Sequence, residues 1–163
     1  MVEPPDPRAE KDELYVSRWF KANYRLLGYE RIVGESEQEY RLLRKRVRKE
    51  VDRANPIPPW TSMGTPDYLA LKDGKWFRIE IESVSSHFNM HHHTAWQRDV
   101  LICYEYDFLF NEDRPAEVIA LYDLFYEHKT CQCCGGKGRW YELRNEPELS
   151  DQFKKFAEET RAL

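Results

Sequence analysis

Apolar residues at Tyr15, Trp19, Ala22 and Leu26, flanked by Val16, Phe20 and Leu27, recur at the three-to-four-residue interval that lines one side of a helix. The spacing predicts a helix over 8–27, closed by Gly28 as its C-terminal cap. Tyr29 to Val33 reads as a short strand. Ser36, three residues before Glu39, offers a capping box to a second helix reaching about Ala54, where Pro56, Pro58 and Pro59 stop it. That helix sets Tyr40, Leu43, Val47 and Val51 on one side and Arg41, Arg44, Lys45, Arg48, Lys49 and Arg53 largely on the others. The pattern then changes to strands at Asp67–Lys72 and Lys75–Glu82, joined by Asp73-Gly74, a favoured two-residue turn. Ser83 to Thr94 reads as a loop and Ala95 to Arg98 as a short helical piece. Val100–Tyr104 (VLICY) reads as a buried strand and Val118–Leu124 as another. Arg139–Leu143 reads as an edge strand, before a C-terminal helix from about Glu148 with Phe153, Phe156 and Ala157 facing inward. This order predicts an α/β or α+β fold with a central mixed β-sheet flanked by helices.

At 163 residues the chain fits one domain, 1–163. It comprises a helical N-terminal part (8–54) with the basic helix, a core (64–125), a Cys/Gly loop (128–139) and the C-terminal helix (148–163). Apolar residues make up 41% and charged residues 33%, a polar but foldable composition. The formal net charge of −4 does not mark a nucleic-acid binder, so any polyanion site must come from local basic clustering or bound cations. The basic helix reads either as a solvated surface or as a phosphate-tracking face through Arg41, Arg44, Lys45, Arg48 and Lys49. No apolar run is long enough to span a membrane and no secretion signal opens the chain, so a cytoplasmic, intracellular location without a membrane partner is expected.

The hairpin gathers acid. Counting back from a two-residue turn, Lys72 faces Lys75, Leu71 faces Trp76, and Asp67 falls opposite Glu80. Opposed residues share a face with Cβ atoms about 4.5–5.5 Å apart. Glu82 projects from the same face, whereas Phe77, Ile79 and Ile81 point to the other. Like charges so opposed are destabilising, which calls for open solvent, shared protons or a cation. A hard divalent cation suits oxygen ligands best.

The order Gly64-Thr65-Pro66-Asp67, a hairpin, then Glu80-Ile81-Glu82 resembles the PD-(D/E)xK nuclease superfamily, whose fold is the restriction-endonuclease-like core, in a Glu-x-Glu variant. Glu82 stands where the family usually has lysine, as in some type II restriction endonucleases. The blocks SSHFNMHHH (Ser85–His93) and DVLICYEYD (Asp99–Asp107) are similar to a subset of small nucleases predicted in microbes and their viruses. The resemblance covers about Gly64 to Asp107, plus a helix entry at Leu27-Gly28-Tyr29. It implies a Mg²⁺- or Mn²⁺-dependent endonuclease acting on nucleic acid, DNA ahead of RNA. Asp67, Glu80 and the backbone carbonyl of Ile81 would be metal ligands. Glu82 would accept a proton from the attacking water or help hold a second metal. A nuclease this small could cut both strands as a homodimer.

Four histidines, His87, His91, His92 and His93, follow the acidic motif, and consecutive side chains in an extended segment cannot all face one point. His91, His93 and Gln97 are candidates for substrate contact or for supporting the metal ligands, with a plain surface role equally open for the histidines. In HKTCQCCGGKGR, the spacing of His128, Cys131, Cys133 and Cys134 allows a structural Zn²⁺, the alternative being a glycine-rich loop with free thiols. Two other readings stay open. One is a non-catalytic nucleic-acid-binding or assembly protein on the same fold, kept alive by Glu82; the other is a zinc-organised interaction module.

Overall fold

The computed structural model describes residues 12–54, 65–91, 93, 98–108, 112–130 and 139–143, with the backbone alone for 48–54, 128–130 and 139–143. Helix α1 (Glu13–Asn23) begins where the Asp12 carboxylate accepts the Leu14 N–H at 2.9 Å. A 3₁₀ turn (Tyr24–Leu27) follows and ends on Gly28, whose φ of 82° closes it. Residues 8–11 of the predicted helix lie outside the described residues. Strand β1 is Arg31–Gly34 and helix α2 is Tyr40–Ala54.

Helix α2 starts four residues later than the predicted capping box, because the acids near it bond elsewhere. Glu37 Oε1 accepts the Gly34 N–H at 2.8 Å, and Glu39 pairs with Arg31. The hairpin comprises β2 (Tyr68–Lys72) and β3 (Lys75–Val84); after it come a single helical turn, α3 (His87–Met90), where a loop was expected, and β4 (Val100–Glu105). Strand β5 (Glu117–Ala120) gives way to helix α4 (Leu121–Phe125), so the strand expected to reach Leu124 stops at Ala120. Leu121, Leu124 and Phe125 are buried at helical spacing, and that burial selects helix over strand. Tyr126–Thr130 (β6) and Arg139–Leu143 (β7) form a separate antiparallel ribbon, so the expected edge strand has a partner. The predicted C-terminal helix lies outside the described residues.

The main sheet has the order β1-β2-β3-β4-β5, antiparallel across its first three strands and parallel across its last three. The fold is therefore α+β with a mixed five-stranded sheet flanked by helices. Its hairpin register follows from the turn: Asp73 and Gly74 adopt φ of 50° and 74°, and the ladder runs from Lys72↔Lys75 through Leu71↔Trp76 to Tyr68↔Ile79. Both turn residues are left-handed, the geometry that matches strand twist. A Cβ at Gly74 meets nothing within 4 Å, so the barrier to substitution there is φ alone. Gly74→Val is expected to lower stability by about 1 kcal/mol and the melting temperature by a few degrees, read by thermal denaturation.

The two sheet faces differ. Tyr68, Ala70, Ile79, Ile81, Val100, Ile102, Tyr104 and Ile119 pack against Val16, Trp19 and Phe20 of α1 and against α4, forming the main core. Phe20 meets the Tyr68 ring edge-on at 5.3 Å between centroids. On the opposite face, Leu69 and Val33 pack beneath Tyr40 and Val47 of α2. Asp67 and Leu69 alternate with Tyr68 and Ala70, and Arg78, cross-paired with Leu69, is followed at two-residue steps by Glu80 and Glu82. The acidic residues and the basic helix thus share one face.

A half-buried acid, Glu117, lies elsewhere in the sheet. Burial lifts the Glu117 carboxyl from its usual range to about 7, against the lowering influence of Lys72. A folded pKa above the unfolded value stabilises the fold below about pH 4.5, and that stabilisation is lost as pH rises through 7. Glu117→Gln is expected to raise stability at pH 8 by on the order of 2 kcal/mol and leave it nearly unchanged at pH 4, measured by melts at both.

Candidate functional site

Strand β3 is the central strand of the sheet, so its acidic residues are buried: Glu80 is 5% and Glu82 1% exposed. Open solvent therefore does not relieve the repulsion expected among them, and side chains from outside the hairpin supply the counter-charge. The Arg98 guanidinium donates from Nε to Glu80 Oε2, and His93 Nε2 lies 2.8 Å from Glu80 Oε1. His93 Nε2 is also 3.6 Å from Glu82 Oε1, which His91 Nδ1 meets at 2.9 Å.

One step beyond the last ladder pair, Asp67 stands opposite Glu80, as the turn predicts, and its Oδ2 accepts the Ile81 N–H at 2.8 Å. The carboxylate thus takes over the ladder hydrogen bond just before β2 begins. Burial first and the charge of Glu80 second push the Asp67 carboxyl up to about 7; the Ile81 hydrogen bond and Arg98 pull the other way. Glu82 is likewise raised, by burial, with its hydrogen bond to His91 opposing. The same hydrogen bond raises His91, which is 52% exposed and opens the cluster to solvent.

The loop carrying the histidines is anchored at both ends. Ser85 Oγ donates to Asp107 Oδ1 at 2.9 Å and accepts the backbone N–H groups of Asp107 and Phe108. Asp107 also accepts from the backbone and hydroxyl of Ser86 at 2.7 Å each. Phe88 is fully buried, and its carbonyl accepts the His93 N–H at 3.1 Å. Asp99 binds Arg78 through two guanidinium contacts of 3.0 and 2.9 Å, and Cys103 is buried with its thiol raised by desolvation. In the Asp99–Asp107 block these three residues serve the framework.

Three carboxylates, two imidazoles and one guanidinium thus meet on one face. Asp67 and Glu80 set two carboxylates opposite each other on this face, each acting on the other's charge. Glu82, His91 and His93 form a mixed set whose ligand atoms lie within 4.8 Å of one another. Glu82 Oε2 is buried and, among the described residues, has no hydrogen-bond partner. Such an atom is costly unless something binds it, and a cation does so.

Arg98 is the participant that sequence reasoning missed. It is the one Lys or Arg between Arg78 and Arg114, and that isolation before an apolar strand was the available signal. Gln97, Cys131, Cys133 and Cys134 lie outside the described residues, as do the side chains of His128, Arg48 and Lys49. Arg41, Arg44 and Lys45 are exposed on α2. No helix among the described residues is long and apolar enough to cross a membrane. No protein-family model, curated protein or solved structure matches the chain.

Proposed function

We propose that this chain is a metal-dependent nuclease, hydrolysing phosphodiester bonds with Mg²⁺ or Mn²⁺, and that its substrate is nucleic acid, DNA ahead of RNA. One observation carries the reading: Asp67 and Glu80 face each other on a buried strand face beside the Ile81 backbone, with Asp67 raised to about 7 in part by Glu80. That is the electrostatic condition a cation relieves. The mixed sheet, antiparallel then parallel, agrees with the resemblance to the PD-(D/E)xK superfamily.

Asp67, Glu80 and the Ile81 carbonyl would hold the ion, which when bound neutralises phosphate charge and lowers the pKa of water at the scissile bond. The chain's own residues do the rest. Ile81 N–H fixes the Asp67 carboxylate, and Arg98 and His93 fix that of Glu80. Arg98 brings to this face the permanent positive charge that Glu82, in place of lysine, does not. Helix α2 packs on the same sheet face, and its exposed Arg41, Arg44 and Lys45 suit a run of backbone phosphates. Binding through them should weaken steeply with salt.

The Arg98–Glu80 ion pair also supports a second reading, a nucleic-acid-binding protein in which the guanidinium has replaced the cation. Incubation with plasmid, single-stranded DNA and RNA, each with Mn²⁺, Mg²⁺ or EDTA, separates the two. Cleavage that needs the ion and disappears in Glu80→Gln supports the nuclease. Salt-sensitive binding with every substrate intact supports the second reading.

A further inference from the structure

We infer that Glu82, His91 and His93 form a separate binding site for a first-row transition-metal dication, with zinc the best match. This inference stands whether or not Asp67 and Glu80 serve phosphodiester hydrolysis.

The donor set decides the class of ion. His91, His93 and the Glu82 carboxylate each offer one ligand atom, all within 4.8 Å of one another. Imidazole nitrogens suit zinc and its neighbours and are poor ligands for Mg²⁺. Two histidines and one carboxylate leave a coordination position open, the pattern of zinc sites that keep a water or substrate ligand.

An independent feature points to the same place. Glu82 is 1% exposed, yet its Oε2 has no hydrogen-bond partner among the described residues while Oε1 takes the contacts from both histidines. The unmatched oxygen belongs to the carboxylate that the imidazoles converge on. Entry is through His91, half-exposed, whereas His93 is 13% exposed and backed by the Phe88 ring at 5.3 Å. Ser83 Oγ holds His87 Nδ1 at 2.8 Å at the start of the same turn. The geometry is therefore set by α3 and the Ser85–Asp107 anchor. Arg98 already pairs with Glu80, which leaves Glu82 as the carboxylate whose negative charge an added dication would meet. Binding would replace the contacts that His91 Nδ1 makes with Glu82 and His93 Nε2 makes with Glu80.

Cobalt(II) is the probe, added to the full-length chain and followed by its visible ligand-field absorption, with Zn²⁺ and Mg²⁺ as competitors. The titration is repeated in Cys131→Ser/Cys133→Ser/Cys134→Ser, which removes thiolate ligands from elsewhere. In that background one equivalent should bind, be displaced by Zn²⁺ and resist Mg²⁺. His91→Ala, at an exposed position where folding should be unaffected, and His93→Gln should each weaken binding about tenfold or more. Asp67→Asn should leave it largely intact. Binding that survives both histidine changes but disappears in Asp67→Asn would put the ion among the oxygen ligands and overturn the inference, as would a triple-serine chain that binds no cobalt. Because the readout is absorption, an inactive nuclease does not disturb it.

Discussion

Asp67→Asn is expected to abolish ion-dependent cleavage and, in the same molecule, to raise the melting temperature. The two effects share one cause. Asp67 is half-buried opposite Glu80, and its carboxyl is raised to about 7 by desolvation and by that neighbour. Its folded pKa lies above the usual carboxylate value, so its contribution to stability is complete at low pH and is lost as pH rises through 7. Asparagine keeps an oxygen for the Ile81 N–H and removes the charge. At pH 8 in EDTA the gain should be on the order of 2 kcal/mol, or several degrees, shrinking to little at pH 4. Cleavage should fall by about a hundredfold or more, as expected when a group that positions transition-state charge stabilisation is removed. An acid whose charge is matched by an ion pair in the fold would behave oppositely: its loss would lower the melting temperature. Melts at the two pH values, beside a cleavage assay in Mn²⁺, read both effects.

The second large effect belongs to Arg98. Arg98→Met leaves Glu80, 5% exposed, without its guanidinium partner, with His93 Nε2 still 2.8 Å from Oε1. Breaking one side of a buried pair typically costs about 3–5 kcal/mol. A loss near the lower end is expected in EDTA, read by chemical denaturation, with much of it recovered in Arg98→Met/Glu80→Gln. Manganese should also recover part of it, because a ligand that binds only the folded state stabilises it by mass action. A protein in which the guanidinium has permanently replaced the ion would recover with the double substitution and gain nothing from manganese.

How much of this was legible in the chain depends on range. The Asp73-Gly74 turn fixes the hairpin register, and the two-residue period of a strand carries that register to Asp67 and Glu80 without further information. Burial of the acids was harder to see, since it depends on β4 pairing with β3. The uninterrupted apolar run of VLICY, typical of a strand covered on both faces, was the clue that β3 would be central. The counter-ions are tertiary. Arg98 reaches Glu80 across eighteen positions of sequence, and His91 and His93 reach Glu82 because α3 forms where a loop was read. Local signals misled where a tertiary partner competed for the same group. Glu39 met Arg31 instead of capping a helix at Ser36, and Leu124 was drawn into a helical turn against the core instead of extending β5.

Crystals soaked in manganese test the central claim most directly, through the anomalous scattering of the ion. The account predicts a peak held jointly by the Asp67 and Glu80 carboxylates and the Ile81 carbonyl, and its loss in Asp67→Asn. An undisturbed Arg98–Glu80 pair with no manganese beside Asp67, at concentrations where related oxygen sites fill, would contradict it.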